Sequence, residues 1–147
     1  MTIRFVAMTN PRGKQRARTV TLPNGKRTSY TPKETVRFEN EIAWAFKACA
    51  RGARFLEKVP LKVTAWFYMP IPKSLSKKQQ EALKDEWHTS KPDIDNVQKS
   101  VQDALNQLAY HDDGQIAWLE VKKIYSYCPR VEVIIEQLES RKGEKDG

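Results

Sequence analysis

A chain of 147 residues, 39% hydrophobic and 30% charged, is long enough for one domain with a modest core and too polar for a membrane protein. No apolar run reaches the length of a membrane span, and the stretch Met1 to Met8 is too short for a secretion signal, so the expected location is the cytosol. The net charge of +8 is unevenly spread: residues 1–58 hold 13 Lys and Arg against 4 Asp and Glu, and residues 59–147 hold 13 against 14. Such a split suits a polyanionic partner met by the basic part, the alternative being a solvated basic surface.

Residues 2–8 read as a short strand. In the following Pro11-Arg12-Gly13-Lys14-Gln15-Arg16-Ala17-Arg18, basic residues alternate around Pro and Gly, a composition that predicts an exposed loop. Val20 to Tyr30 predicts a hairpin closed at Asn24-Gly25. Thr31 is the expected N-cap of a helix, with Pro32 in its first turn and Glu34 completing a capping box. Phe38, Ile42, Ala45, Phe46 and Cys49 then recur at helical spacing as far as Ala50.

Val59 to Met69 alternates as a strand, with Leu61, Val63, Ala65 and Phe67 on one face, and Pro70-Ile71-Pro72 ends it. Ser74 to Trp87 predicts a polar surface helix opened by a Ser cap. Asp95 to Leu108 predicts a second, amphipathic one whose apolar stripe is Val97, Val101, Ala104, Leu105 and Leu108. Gln115 to Tyr127 is a long strand whose alternation changes phase at Lys122-Lys123, the expected mark of a bulge. Val131 to Ile135 is the last strand. Residues 1–138 form one α+β domain with a mixed sheet packed with helices, and 139–147 a charged, disordered tail.

Cys49, Cys128, His88 and His111 have no zinc spacing, and both thiols are expected reduced and at least half buried. Trp44 and Trp118 are expected in the core rather than as base-stacking platforms.

The chemistry concentrates in Lys91-Pro92-Asp93-Ile94-Asp95-Asn96. Pro92 favours an extended chain, which turns Asp93 and Asp95 to one side. Two adjacent carboxylates repel unless a cation lies between them, and Mg²⁺ takes hard oxygen ligands while keeping water and substrate phosphate in its shell. Lys99, one helical turn beyond Asp95 and off the apolar stripe, can reach a phosphate held there, to stabilise its transition state or orient the attacking water. Asp103 is rotated away and is expected to support Lys99 or the fold. His111-Asp112-Asp113-Gly114 can supply a third carboxylate from a separate element. Each piece also has a plain structural use: Asp95-x-x-Gln98 can be a capping box, Asp113-Gly114 a turn, Lys99 a solvated lysine and His111 a loop residue.

Taken together, Pro92-Asp93-x-Asp95-Asn96-x-x-Lys99-x-x-x-Asp103-Ala104-Leu105 and Asp112-Asp113-x-Gln115-Ile116 resemble the RusA family of Holliday-junction resolvases. The resemblance is specific over residues 91–116 and weaker over most of the remaining chain. It implies a RusA-like fold, a homodimer often encoded by phages or prophages, and paired nicking of four-way DNA junctions in recombination and repair. It also implies Mg²⁺ ligation by Asp93, Asp95 and Asp113, with Asp112 as the alternate, and a catalytic role for Lys99. Arg12, Lys14, Arg16 and Arg18 are the expected phosphate contacts. The rival readings are a flap- or fork-selective nuclease, a non-catalytic basic DNA-binding protein with a structural metal, and a nucleotide-sugar transferase, the last disfavoured by the chain's size.

Overall fold

The computed structural model describes residues 1–15, 18–30 and 32–143. The elements run β1 (Thr2–Ala7), β2 (Arg18–Thr21), β3 (Arg27–Tyr30), α1 (Lys33–Ala50), β4 (Leu61–Pro70), α2 (Lys77–Leu83), α3 (Ile94–Leu105), a 3-10 turn (Asp113–Gln115), β5 (Ile116–Ser126) and β6 (Arg130–Gln137). The architecture is a single small α+β domain. Its four-stranded sheet has the order β1-β6-β4-β5, antiparallel except for the β4–β5 pair, and is therefore mixed. β2 and β3 pair as a separate hairpin, whose turn uses the positive φ of Gly25; Leu22 N–H donates to the Lys26 carbonyl and Gly25 N–H to the Leu22 carbonyl.

Alternation decides which sheet face is covered. Leu61, Val63, Ala65, Phe67 and Met69 of β4, with Val131, Val133 and Ile135 of β6 and Ile3, Phe5 and Ala7 of β1, are all buried on one face. α1 supplies Phe38, Ile42 and Phe46 to this core, and α3 supplies Val97, Val101 and Leu105. The opposite face carries Val6, Lys62, Thr64, Trp66, Tyr68, Trp118, Lys122 and Ile134, and no helix lies over it among the described residues.

That uncovered face explains where the aromatic residues go. Trp118 is 49% exposed and stacks under the Lys62 ammonium at 3.9 Å, while Trp66 lies under Lys122 at 3.7 Å. Trp44, on the solvent side of α1, is 63% exposed, so neither Trp44 nor Trp118 belongs to the core. Both cysteines are exposed rather than buried: Cys49 donates to the Arg4 carbonyl, and Cys128 lies in the β5–β6 turn.

Several local expectations shift. Thr31 lies outside the described residues; Pro32 flanks α1 with no side-chain cap bond, and Glu34 pairs with Arg12 at 3.4 Å. The polar helix is only Lys77–Leu83, capped by Ser76 in a capping box with Gln79. Asp93, not Asp95, is the N-cap residue of α3, and Gln98 is buried against Gln102 instead of reaching back to Asp95. The irregularity in β5 falls at Ala117, where Leu61 and Lys62 of β4 face Ile116 and Trp118. Around Lys122-Lys123 the register is continuous.

Candidate active site

The acidic residues gather around α3. Asp93 sits at its N-terminus with an extended backbone, and its carbonyl accepts the first helical bond from Val97 N–H at 3.2 Å. Asp95 lies in the first turn, and Lys99 one turn on, about 6 Å further along the axis on the same side. All three are exposed, because the opposite side of the helix holds Val97, Val101 and Leu105 in the core.

The segment leading into Asp93 is held from two sides. On one side Lys123, on the helix-covered face of β5, donates from Nζ to the Ser90 carbonyl at 2.8 Å and the Pro92 carbonyl at 2.7 Å. On the other side the basic loop lies against it. Lys14 N–H donates to the Asn96 carbonyl at 3.0 Å, and Gly13 approaches Pro92 so closely that an added Cβ would stand 2.9 Å from the ring. The N-terminal positive segment is thereby anchored at the first turn of α3, beside Asp93 and Asp95.

The basic side chains divide. Lys14 turns inward and pairs with Glu39 at 2.6 Å and Asp103 at 3.1 Å. Burial alone would lower its pKa, but the hydrogen bonds and the negative charges of Glu39 and Asp103 together outweigh it, and the ammonium is raised above its ordinary value. Asp103 thus supports the fold through Lys14. Arg12 is half exposed against Glu34, Arg18 is exposed on the hairpin, and Arg16 lies outside the described residues.

Asp113 arrives from the turn before β5. Tyr110, a buried side chain, donates its hydroxyl to Asp113 Oδ1 at 2.7 Å. Partial burial raises the Asp113 carboxyl above its ordinary range, the nearby Asp103 and Asp112 charges add to this, and the Tyr110 bond and Lys99 oppose it. Burial, then the bond to Asp113, pushes the Tyr110 phenol far above its ordinary value. Asp112 is occupied differently: its Oδ2 accepts from Gly114 N–H at 2.8 Å and caps the turn. Gln115 locks this turn in place, accepting from the His111 and Asp112 amides at 2.9 and 3.0 Å and donating to the Leu56 and Val59 carbonyls at 2.8 and 3.0 Å.

Asp93 carries one ion pair, to Lys91 at 2.8 Å, which holds its carboxyl below the ordinary carboxylate range. Among the described residues Asp95 makes no hydrogen bond or ion pair, and no three His, Cys, Asp or Glu side chains form a ready metal-binding group. Asp93 is thus coupled to Lys91 and Lys123, and Asp113 to Asp103, Asp112 and Lys99. The donor chemistry nevertheless fits a hard cation: the oxygens are carboxylate, and among the described residues Asp95 makes no hydrogen bond or ion pair and Asp93 and Asp113 are each bonded through one oxygen.

Sequence reasoning gave no role to Lys91, Lys123 or Tyr110, and it named Gln115 only as part of the recurring motif. The signal for Lys123 was present as the break in alternation, because a lysine occupies a strand position whose register partner is the buried Phe67.

Exposed carboxylates, a lysine one turn beyond and a basic loop anchored alongside are parts that a nuclease can use. Comparison with known proteins supplies the class. The family description Endodeoxyribonuclease RusA matches residues 9–136, so the chain belongs to that family and is an endodeoxyribonuclease. It is 38% identical over 137 residues to the uncharacterized protein YqaN of Bacillus subtilis (strain 168), covering 90% of each chain. It is also 38% identical over 85 residues to the crossover junction endodeoxyribonuclease rusA of Lactococcus phage r1t, covering 57% of this chain and 60% of that one.

Proposed function

We propose that this chain is a Mg²⁺-dependent resolvase of four-way DNA junctions, acting in the cytosol as a homodimer that makes paired nicks. The observation that carries the reading is the anchoring of the basic loop at the start of α3 through Gly13–Pro92 and Lys14–Asn96. Carboxylates alone repel DNA, and basic chain fixed beside them supplies the attraction to phosphate. The name of the phage relative supports the junction substrate.

Asp93, Asp95 and Asp113 would hold the cation, with Asp112 retained as a turn cap and alternate donor. Bound there, Mg²⁺ would polarise the phosphoryl oxygen and lower the pKa of a ligated water. Lys99 would place its ammonium against the phosphate and stabilise the charge that builds up during attack. Lys91 holds Asp93 through Oδ1, and its exposed position lets it turn to the DNA backbone when Asp93 ligates the cation. Arg12, Arg16 and Arg18 would contact flanking phosphates; Lys14, paired with Glu39 and Asp103, would act mainly by holding the loop.

The uncovered sheet face is the proposed dimer surface. It is rich in aromatic residues and nearly balanced in charge, with Lys62 against Glu120 and Arg130 against Glu132, as suits a self-complementary interface. Trp118 and Trp66 belong to it. Tyr125, buried in its own chain against His88, does not.

The test is incubation with labelled four-way junction, linear duplex and flap, with and without Mg²⁺. Paired symmetric nicks in the junction alone are expected. Equal cutting of flaps would redirect the reading to a flap nuclease, and binding without cuts would exclude Mg²⁺-dependent resolution.

A further inference from the structure

We infer that Lys123 is a positioning residue for the acidic site: from β5 it fixes the Ser90–Pro92 segment, and so sets where Asp93 stands. The inference rests on the proposed role of Asp93 as a cation ligand.

The placement of Lys123 is unusual for a strand lysine. Its β4 partner is Phe67, its neighbours on the same face are Val121 and Tyr125, and Phe67 and Tyr125 are buried. An apolar side chain would be expected there. The ammonium instead extends past the sheet edge to two main-chain carbonyls, at 2.8 and 2.7 Å. Bonds of this length to an ionised donor are the stronger kind. The two acceptors flank Lys91, so the clamp closes on the chain immediately before Asp93.

The edge of β5 itself is fixed to the same connection. Tyr125 N–H donates to the Glu86 carbonyl at 3.0 Å, Asp85 N–H to the Tyr125 carbonyl at 3.1 Å, and His88 N–H to the Lys123 carbonyl at 3.1 Å. The chain from Asp85 to His88 therefore runs along β5, and Lys123 continues the attachment up to Pro92. Beyond Pro92, Gly13 bounds the segment from the other side. Without the ammonium, the carbonyls of Ser90 and Pro92 lose their only side-chain donor among the described residues, and the entry to α3 is left to the contacts of the basic loop, Gly13 on Pro92 and Lys14 N–H on the Asn96 carbonyl.

Lys91, the residue between the two clamped carbonyls, gains from the same arrangement. Its backbone is fixed while its side chain remains exposed, so it can exchange Asp93 for another partner without moving the aspartate. Lys123 thus separates the position of Asp93 from the pairing state of Lys91.

The test is Lys123→Met, which keeps the length and removes the charge, with Lys123→Gln as a second variant where Met fails to fold. Hydrogen exchange of the peptide spanning 89–97 should speed up at least tenfold while that of β4 and β6 stays unchanged. In junction cleavage the Mg²⁺ concentration for half-maximal rate should rise about 10–100-fold, the range seen when partners that orient metal ligands are removed. Junction affinity measured in Ca²⁺ should stay within about twofold. Unchanged exchange over 89–97 would overturn the inference, as would a fall in rate with an unaltered Mg²⁺ requirement. If the wild-type protein cut no DNA, the proposed function would fail instead, and the exchange experiment would still decide whether Lys123 fixes the segment.

Discussion

Gly13 and Pro92 meet face to face, and no side chain fits between them: a Cβ on Gly13 would lie 2.9 Å from Pro92 Cβ and 3.4 Å from Asn96 Cβ. Gly13 belongs to the basic loop and Pro92 to the acidic motif, so this contact joins the two halves of the charge pattern. Neither Pro92 nor a helix-bound Asn96 yields as a flexible side-chain end would. Gly13→Ala should therefore push the loop away from α3. Overpacking of this kind costs about 1–3 kcal/mol, read as a lowered Tm, and cleavage should fall because the basic loop no longer borders Asp93. A thermal melt and a cleavage rate both matching wild type would show that the contact has no consequence.

Tyr110 orients Asp113 through a single hydroxyl. Tyr110→Phe keeps the buried ring and removes only that donor. Stability should fall by about 1–2 kcal/mol, and the Mg²⁺ requirement for cleavage should rise, because Asp113 Oδ1 is released to rotate. An unchanged Mg²⁺ titration would remove Asp113 from the proposed ligand set, whatever the change in melting.

His88 supplies a pH-dependent term. Its pKa lies below the ordinary value of 6.5, first through burial and then through the Lys123 charge. The folded state therefore prefers the neutral ring. The stability from this group is complete above the ordinary histidine value and is lost as pH falls through it towards the lower folded value. Wild type should lose more Tm between pH 7.5 and pH 5.5 than His88→Gln, which cannot be charged. Equal losses would show that His88 is not protonated on unfolding in that range.

The order of strands and helices was legible because it depends on local chemistry. The stripe Val97, Val101, Leu105 and the alternation Leu61, Val63, Ala65, Phe67 each face the core as their spacing requires. The positions of the tryptophans were not legible, because hydrophobicity does not reveal whether a helix covers the second sheet face. Here none does among the described residues, and Trp66 and Trp118 remain outside. The Lys122-Lys123 phase change was visible but carried two meanings. Only the tertiary structure shows that Lys123 points towards the Ser90 and Pro92 carbonyls while the strand stays regular. Lys14 shows the same limit: in sequence it is one of four alternating cations, yet its partners Glu39 and Asp103 lie on two helices brought together only by folding. The motif singled out Asp93, Asp95 and Asp113 as the proposed ligands and included Gln115, whereas the supports from Tyr110 and Lys123 depend on contacts that only folding creates.

The proposed ligands can be tested without altering shape. Asp93→Asn and Asp95→Asn each remove one negative charge from an exposed side chain, so folding should be retained. Cleavage should collapse, while junction binding should persist or tighten, since less negative charge faces the phosphates. Near wild-type cutting by either variant would exclude that residue as a ligand. Asp95 is the sharper test, because it makes no hydrogen bond or ion pair among the described residues that would explain an effect.

The last expectation concerns symmetry. A four-way junction has approximate two-fold symmetry, and resolving it takes cuts in two strands related by that axis. On the proposed assignment one chain carries one Asp93–Asp95–Lys99 group, so a monomer would offer a single cutting site. A C₂ pair joined through the uncovered sheet faces would present two, matched to the substrate's axis. Trp118→Glu would replace an exposed aromatic ring of each facing surface with a carboxylate, and the lost apolar contact and added charge should shift the pair towards monomers. Sedimentation should detect the shift, and junction cutting should fall with it while the far-ultraviolet circular dichroism stays unchanged. Mixing wild-type with Asp93→Asn subunits should give heterodimers that nick one strand only. A wild-type protein that sediments as a monomer at micromolar concentration and still makes paired cuts would sink the dimer. A dimer that survives Trp118→Glu would move its interface to another face.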